Sequence, residues 1–388
     1  MKEKKNNKIK EAKSKRILKG ENGITLIALV ITIVILIILA TVSINVVLGE
    51  GGLIQRAQQA KELTEQAVLE EQQGLNSLMS EFTNIMAEDQ NPPEEKSEVE
   101  EAKESGTPFE DTTTITDDLD NAVTVPGGFN IAEDSGTKVE EGIVIEDSND
   151  NQFVWIPVGE YNVSTSINST GKLTNELSRR TFTESGSTPV NGDDLIGSFA
   201  YGEGNENSVA KDQVDAFKTN ATNNKGFYIG RYEQGEENVC KAGVNPYTRI
   251  TRDEAKTQAE AMYNGNSYVT SELISSYAWD TALNFICQTN EEGYLLATTT
   301  DSTYGNIGIS SKTQTGEYEA DNYSNIHDLL GNCSEWTTEY WSSNNHCVFR
   351  SGNYTSSGFF AASRIGSSSS SINPGYSFRL QLYVNPES

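Results

Sequence analysis

A chain of 388 residues has room for two or three domains and a sizeable core, and its 56 acids against 29 bases leave a net charge of −27. That balance argues against nucleic acid as a partner, because phosphate binding needs clustered Lys and Arg. Four cysteines and two histidines likewise exclude a disulfide-dense scaffold and a histidine-rich metal centre. The charge is also uneven: residues 1–23 hold nine bases and three acids, so +6, which leaves −33 for residues 24–388. The first predicted element explains the split. Residues 24–48 carry no charge over 25 positions, which as a helix is about 37 Å, enough to cross a hydrocarbon layer of about 30 Å. The basic tract before it belongs on the cytoplasmic side, so the acidic remainder is expected outside.

A basic leader that ends in Gly23 and runs straight into Ile24-Thr25-Leu26-Ile27 resembles the type IV prepilin leader. The resemblance implies that a membrane peptidase cuts between Gly23 and Ile24. Pilins usually carry Glu at the fifth mature position, where this chain has Ala28. That departure bears on assembly with pilin subunits, since the missing carboxylate is the one implied to pair with a neighbour's amino terminus. Cut or uncut, residues 24–48 predict a single-pass anchor in a bacterial cell membrane, with the C-terminal part extracellular.

Gly49-Glu50-Gly51-Gly52 reads as a bend. Residues 53–87 are then proline-free and rich in Ala, Gln, Glu and Leu, with Leu75, Leu78, Phe82 and Ile85 in 3, 4, 3 spacing. This is an apolar helical stripe, suited either to a partner helix or to the chain's own globular part. Residues 24–87 are accordingly read as membrane-spanning and stalk helix. Pro92-Pro93 stops it, and the acidic stretch 88–121 has too few apolar residues to offset its ordering entropy. It reads as a disordered tether.

From Ala122 onward, short runs of Val, Ile, Phe, Tyr and Trp are broken by Gly, Pro, Asn and Asp, which predicts strands and turns. Residues 163–225 look like a polar surface insertion. Thr251 stands three before Glu254, a capping box that opens a helix over 251–263. A second helix is expected over 271–287. Few helices among many short strands predict an α+β domain over 122–388.

GFYIGRYE (226–233), PYTRITRDEAKTQAEAMY (246–263), NIHDLLGNCSEWT (325–337), VFRSGNY (348–354) and YSFRL (376–380) follow in order. Together they resemble the formylglycine-generating-enzyme group of C-type lectin folds over roughly 122–384. The resemblance implies a C-type lectin-like domain of short antiparallel strands with two helices. It also implies a calcium site at Asp328, Gly331, Cys333 and Glu335, with Glu335 capping a turn as the alternative. The oxidising members keep copper-binding cysteines between the Arg-Gly-Gly-Ser strand and the closing Gly-Phe-Arg. Residues 351–377 contain no cysteine, so enzymatic activity is not expected. The pairing of Cys240, Cys287, Cys333 and Cys347 stays open among three possibilities.

The segment 351–377, SGNYTSSGFFAASRIGSSSSSINPGYS, has no acid at all. It also lacks Lys, Gln, Met and Trp, which with Glu make up the set that codons ending in a fixed C cannot encode. This resembles the variable stretch of diversity-generating retroelement targets. Aromatics among small polar residues are also what adaptable binding surfaces use. Asn353, Tyr354, Ser356, Phe359, Phe360, Ser363, Ile365 and Tyr376 are therefore the candidate ligand-binding residues, toward a surface protein or glycan. A minor pilin with a passive head and an extracellular oxidase are the competing readings.

Overall fold

The computed structural model describes residues 26–48, 61, 96–190, 205–309, 311–341 and 346–386. Gly23, Ile24, the 49–52 bend and the stripe Leu75, Leu78, Phe82 and Ile85 lie outside the described residues. Two compact units divide the chain, 1–94 and 95–388. In the first, α1 (Leu26–Leu48) is a helix of 23 residues without a charge, and its side chains are described for residues 29–41, all exposed. Among the described residues no helix is long and apolar enough to cross a membrane. The crossing expected of residues 24–48 therefore rests on composition.

The second unit, the head, starts earlier than the sequence predicts. Within the expected tether 88–121, α2 (Glu98–Ser105) is capped by Ser97, whose side chain accepts the Glu100 N–H, and ends on a left-handed Gly106. β1 (Thr113–Thr116) pairs antiparallel with β2 (Ala122–Val125). Val99 and Ile115 are buried, and the acids bind backbone rather than repel one another. Glu98 accepts the Thr116 N–H, and Asp117 accepts those of Leu119, Asn121 and Val139. Composition averages over such placements. Two well-placed apolar residues and carboxylate caps order 96–121, while residues 88–95 lie outside the described residues.

The core sheet collects β3 (Phe129–Ile131), β4 (Val144–Asp147), β5 (Gln152–Pro157), β10 (Gly226–Gly230), β11 (Val269–Leu273) and β16 (Leu380–Val384) in the order β11-β16-β10-β5-β4-β3. All neighbours are antiparallel. β10 is buried along its whole length. The last strand enters between β10 and β11, so the fold closes only when the C-terminal segment is in place.

α4 (Arg252–Met262) has the expected capping box: Thr251 accepts the Glu254 N–H and Glu254 accepts the Thr251 N–H. The helix expected over 271–287 divides in two. Residues 269–273 extend against β16, and Ser275 caps the start of α5 (Ser276–Thr289) by accepting the Ala278 N–H. An alternating Val-Thr-Ser-Glu-Leu run beside an open sheet edge is strand, whatever helix follows it.

The insertion 163–225 is also more than surface. It contains β7 (Lys172–Asn175), which pairs with β6 (Gly159–Asn162), then the hairpin β8 (Arg179–Thr183) and β9 (Gly186–Val190), and α3 (Asn205–Asn223). Phe217 of α3 lies 5.0 Å from Phe227, edge to face. Asn175 and Arg179 are fully buried. A short α6 (Leu295–Thr298) leads to the second sheet, formed by β12 (Ser334–Trp341), β13 (His346–Arg350), β14 (Arg364–Ser368) and β15 (Tyr376–Phe378). Its order is β14-β13-β12-β15, with only the β12–β15 pair parallel. The fold is thus a mixed α+β head of mostly short antiparallel strands. None of Cys240, Cys287 and Cys333 is in a disulfide, and all four cysteines are buried.

Candidate functional site

Two buried charge clusters hold the segment 351–377 at both ends. At the C-terminal end, between β15 and β16, Arg379 is fully buried. Its guanidinium grips Glu335 of β12 through Nε and Nη2 (2.8–3.2 Å) and donates to the carbonyls of Gly230 and His327, both at 2.7 Å. At the other end Arg350 donates to Asp280 of α5 at 2.7 Å. The same carboxylate takes Arg364 of β14 and the Arg180 N–H. Glu339 of β12 joins the cluster, accepting from Arg179 (2.7 Å), Arg364 (3.3 Å) and Ser276. Burial and the adjacent Arg364 push Arg350 down to about 10. Arg364, from within the candidate segment itself, is thereby a tie to the scaffold that sequence reading missed.

Between these ties the expected site residues separate into two kinds. Asn353 is buried; its Nδ2 donates to Ser334 Oγ at 3.1 Å, while its Oδ1 accepts the Thr355 N–H and hydroxyl. It builds the turn and is unavailable to a ligand, which corrects its assignment. Ser363 is half-buried; its Oγ accepts the Phe360 N–H and its carbonyl accepts from Arg350. Ile365 is half-buried against the core, and the Tyr376 ring packs 4.5 Å from Phe349 and 5.4 Å from Trp336. Tyr354, Ser356 and Phe360 are half-buried and Phe359 is 39% exposed. Phe359 and Phe360 lie in a loop rather than on a strand, so both can reach the surface.

The expected calcium set is placed less simply. Asp328 and Glu335 are buried with Glu233 and Asp321, four carboxylates with Arg379 among them. Both Glu335 oxygens are engaged by Arg379. Asp328 Oδ2 accepts the Gly316 N–H at 2.8 Å, while its Oδ1 has no partner. Cys333 donates its N–H to Glu233 at 2.6 Å, and its thiol is a buried core group. Gly331 is required because any Cβ there would meet the Asn306 carbonyl oxygen at 2.6 Å. Glu335 thus neither caps a turn nor stands free for a metal. Among the described residues no three or more His, Cys, Asp or Glu side chains form a metal-holding group.

The surplus of negative charge has a titration signature. Burial raises Asp328 to about 7, with the Glu335 charge adding to it. Burial, with Asp328 next, pushes Glu233 and Asp321 well above the carboxylate range, and burial also raises Glu335. Nearby His327 is driven down to about 4 by burial and by Arg231 and Arg379, so it brings no compensating charge at neutral pH.

No family model matches the chain, and no curated protein does. Among solved structures it is similar to CarF, at 14% identity over 42% of this chain and 87% of that one, with a TM-score of 0.33. PvdO from Pseudomonas aeruginosa is 12% identical over 62% and 97%, with a TM-score of 0.34. Treponema denticola variable protein 1 is 13% identical over 40% and 84%, with a TM-score of 0.31. Likeness this distant decides nothing about function.

Sequence reasoning also missed Asn332 and the loop 305–313. Asn332 is held left-handed (φ 55) and reaches three ways. Its Nδ2 donates to Glu233, its Oδ1 accepts the Thr313 N–H, and its carbonyl accepts the Tyr354 N–H. Residues 305–316 contain no acid, the same depletion that singles out 351–377, and that signal could have found the loop.

Proposed function

We propose that this protein is a non-catalytic binding protein of the bacterial cell surface. Residues 24–48 anchor it in the membrane after cleavage between Gly23 and Ile24, and the head presents a ligand-binding face built on residues 351–377. One observation carries the reading. A segment without acids, in a strongly acidic chain, is tied down by buried Arg350 and Arg379 and half-buried Arg364, while Tyr354, Ser356, Phe359 and Phe360 are left at the surface. A rigid base under adaptable side chains is what a diversified recognition surface needs, and residues 351–377 are its diversified part. Buried thiols and the absence of cysteine from 351–377 give no support to an oxidase.

The test is a screen of arrayed glycans and surface proteins with the full-length chain. Capture should be lost in the double variant Tyr354→Ala/Phe359→Ala, since an aromatic anchor commonly contributes about 2 kcal/mol or more, with the melting temperature unchanged. Tyr376 is left out because it supports Trp336. Retained capture by the double variant would place binding elsewhere. N-terminal sequencing of the membrane-extracted protein should begin at Ile24, and a start at Met1 would leave an uncut anchor. A near-copy of the codons for 351–377 beside a reverse-transcriptase gene is expected in the flanking DNA; without it, diversification is withdrawn.

The calcium reading is retained in reduced form, centred on Asp328. Its unpartnered oxygen is the donor a hard cation would take, while Glu335 is committed to Arg379. The same carboxylates predict the pH dependence. Each has a folded-state pKa above its unfolded value, so the folded head binds more protons than the unfolded chain. The stability these carboxylates contribute is fully present below their unfolded range and is lost as pH rises through their folded values. Glu272, raised to about 7 by burial, adds to this slope, while His327, lowered to about 4, contributes the opposite slope. Calcium binds the ionised form, so it should raise the melting temperature at pH 7 more than at pH 5. Stability that increases between pH 5 and 7 without metal would contradict the assignment of neutral buried carboxylates; no effect of calcium at pH 7 would remove the cation.

A further inference from the structure

The candidate face is wider than residues 351–377. Gly308 donates its N–H to the Asn353 carbonyl at 3.2 Å, and Tyr354 donates to the Asn332 carbonyl at 2.9 Å. Thr313 donates to Asn332 Oδ1 at 3.0 Å, and Lys312 Nζ donates to Thr248 Oγ1 at 3.1 Å. Arg249 donates its N–H to the Asn373 carbonyl at 3.1 Å, which closes the circuit. Segments 243–252, 305–316 and 351–379 therefore border one another, and none contains an acid although acids make up 56 of 388 residues.

Two further features coincide there. Among the described residues of the head, the exposed large apolar side chains are Ile167, Ile309, Phe359 and Ile372. Three of those four lie on this rim. The second feature is charge. Arg249 is exposed and held at φ 59, a left-handed backbone that costs a non-glycine residue free energy. Lys312 stands half-buried beside it. Exposed acids border the rim: Asp253 pairs with Arg252, Glu317 accepts the Gln314 N–H, and Glu236 donates its N–H to the Asn245 carbonyl.

Building on the binding-face reading above, we infer that this rim engages the acidic surface of a protein partner. Arg249 and Lys312 meet its carboxylates, while Tyr354, Phe359, Ile309 and Ile372 pack on its apolar side chains. On a chain of net charge −27 an acid-free rim lowers the repulsion that an anionic partner meets. Aromatic and aliphatic groups interleaved with Arg match the anchor chemistry of protein interfaces. An anionic polysaccharide would meet the two cations but offers little apolar surface to cover Ile309 and Ile372.

The test uses the full-length chain in detergent and two synthetic peptide pools of equal aromatic and aliphatic content, one with Asp and Glu at its polar positions, the other with Lys and Arg. The acidic pool should be retained at least tenfold better than the basic pool. Arg249→Glu with Lys312→Glu should abolish or invert that preference, and the milder Arg249→Gln with Lys312→Gln should weaken it, both at unchanged melting temperature. Preference for the basic pool, retention of neither pool, or indifference to the charge variants would overturn the inference. If Tyr354→Ala/Phe359→Ala abolishes binding while the charge variants do not, the face stands and the anionic partner falls. If neither set matters, both fall. Dextran sulfate bound as tightly as the acidic pool, and unaffected by the aromatic variants, would replace the protein partner by a glycan.

Discussion

Arg379→Met should destabilise the head by about 3–5 kcal/mol, the usual cost of removing one partner of a buried ion pair. Arg379 makes every one of its contacts without solvent: Glu335, the Gly230 carbonyl and the His327 carbonyl. Met fills similar volume, so the loss reports charge and hydrogen bonds rather than a cavity. Left behind are Glu335, Asp328, Glu233 and Asp321 with no cation among them. Urea denaturation of a fragment covering residues 96–388 measures the effect. It should shrink as pH falls below about 4, where the carboxylates become protonated in both states. Arg379→Lys should recover only part of it, because an ammonium cannot take two carboxylate oxygens in one plane. A loss under about 1 kcal/mol would mean that protonation of Glu335 compensates fully.

Asp280→Ala should cost a comparable amount, about 3–5 kcal/mol, and should do so from the opposite end of the candidate segment. Arg350 and Arg364 both depend on this buried carboxylate, and the Arg180 N–H does too. Without it β14 loses its tie to α5, so the loop 351–363 should become protease-sensitive before the rest of the head. Asp280→Asn keeps the shape and an acceptor but not the charge, and should fall between wild type and Ala. If Asp280→Ala left both stability and proteolysis unchanged, the cluster would be incidental to the face.

Much of the head was legible residue by residue. The Thr251–Glu254 box opened a helix where expected, because a cap is a local interaction with a local spacing. β10 was legible as a strand because a short Phe-Tyr-Ile run bounded by glycines is a strand-and-turn pattern. Where the reading failed, the deciding partner was distant in sequence. Residues 96–121 looked unable to fold on composition, yet Val99 and Ile115 find the core and Glu98 finds Thr116. Residues 271–273 looked helical until β16, more than a hundred positions later, supplied a sheet edge.

Sequence by itself determined the α+β character of the head, the helix of residues 252–262, the uncharged segment near the amino terminus and the acid-free stretch that marks the candidate face. Tertiary structure alone decided that Asn353 is buried, that Glu335 belongs to Arg379, and that the segments of Arg249, Ile309 and Lys312 border residues 351–379. The physical reason is the range of the interactions. Propensity, capping and composition act over a few residues and can be read along the chain, whereas a buried carboxylate takes whichever cation the packing brings to it, and Arg379 reaches Glu335 from 44 positions away.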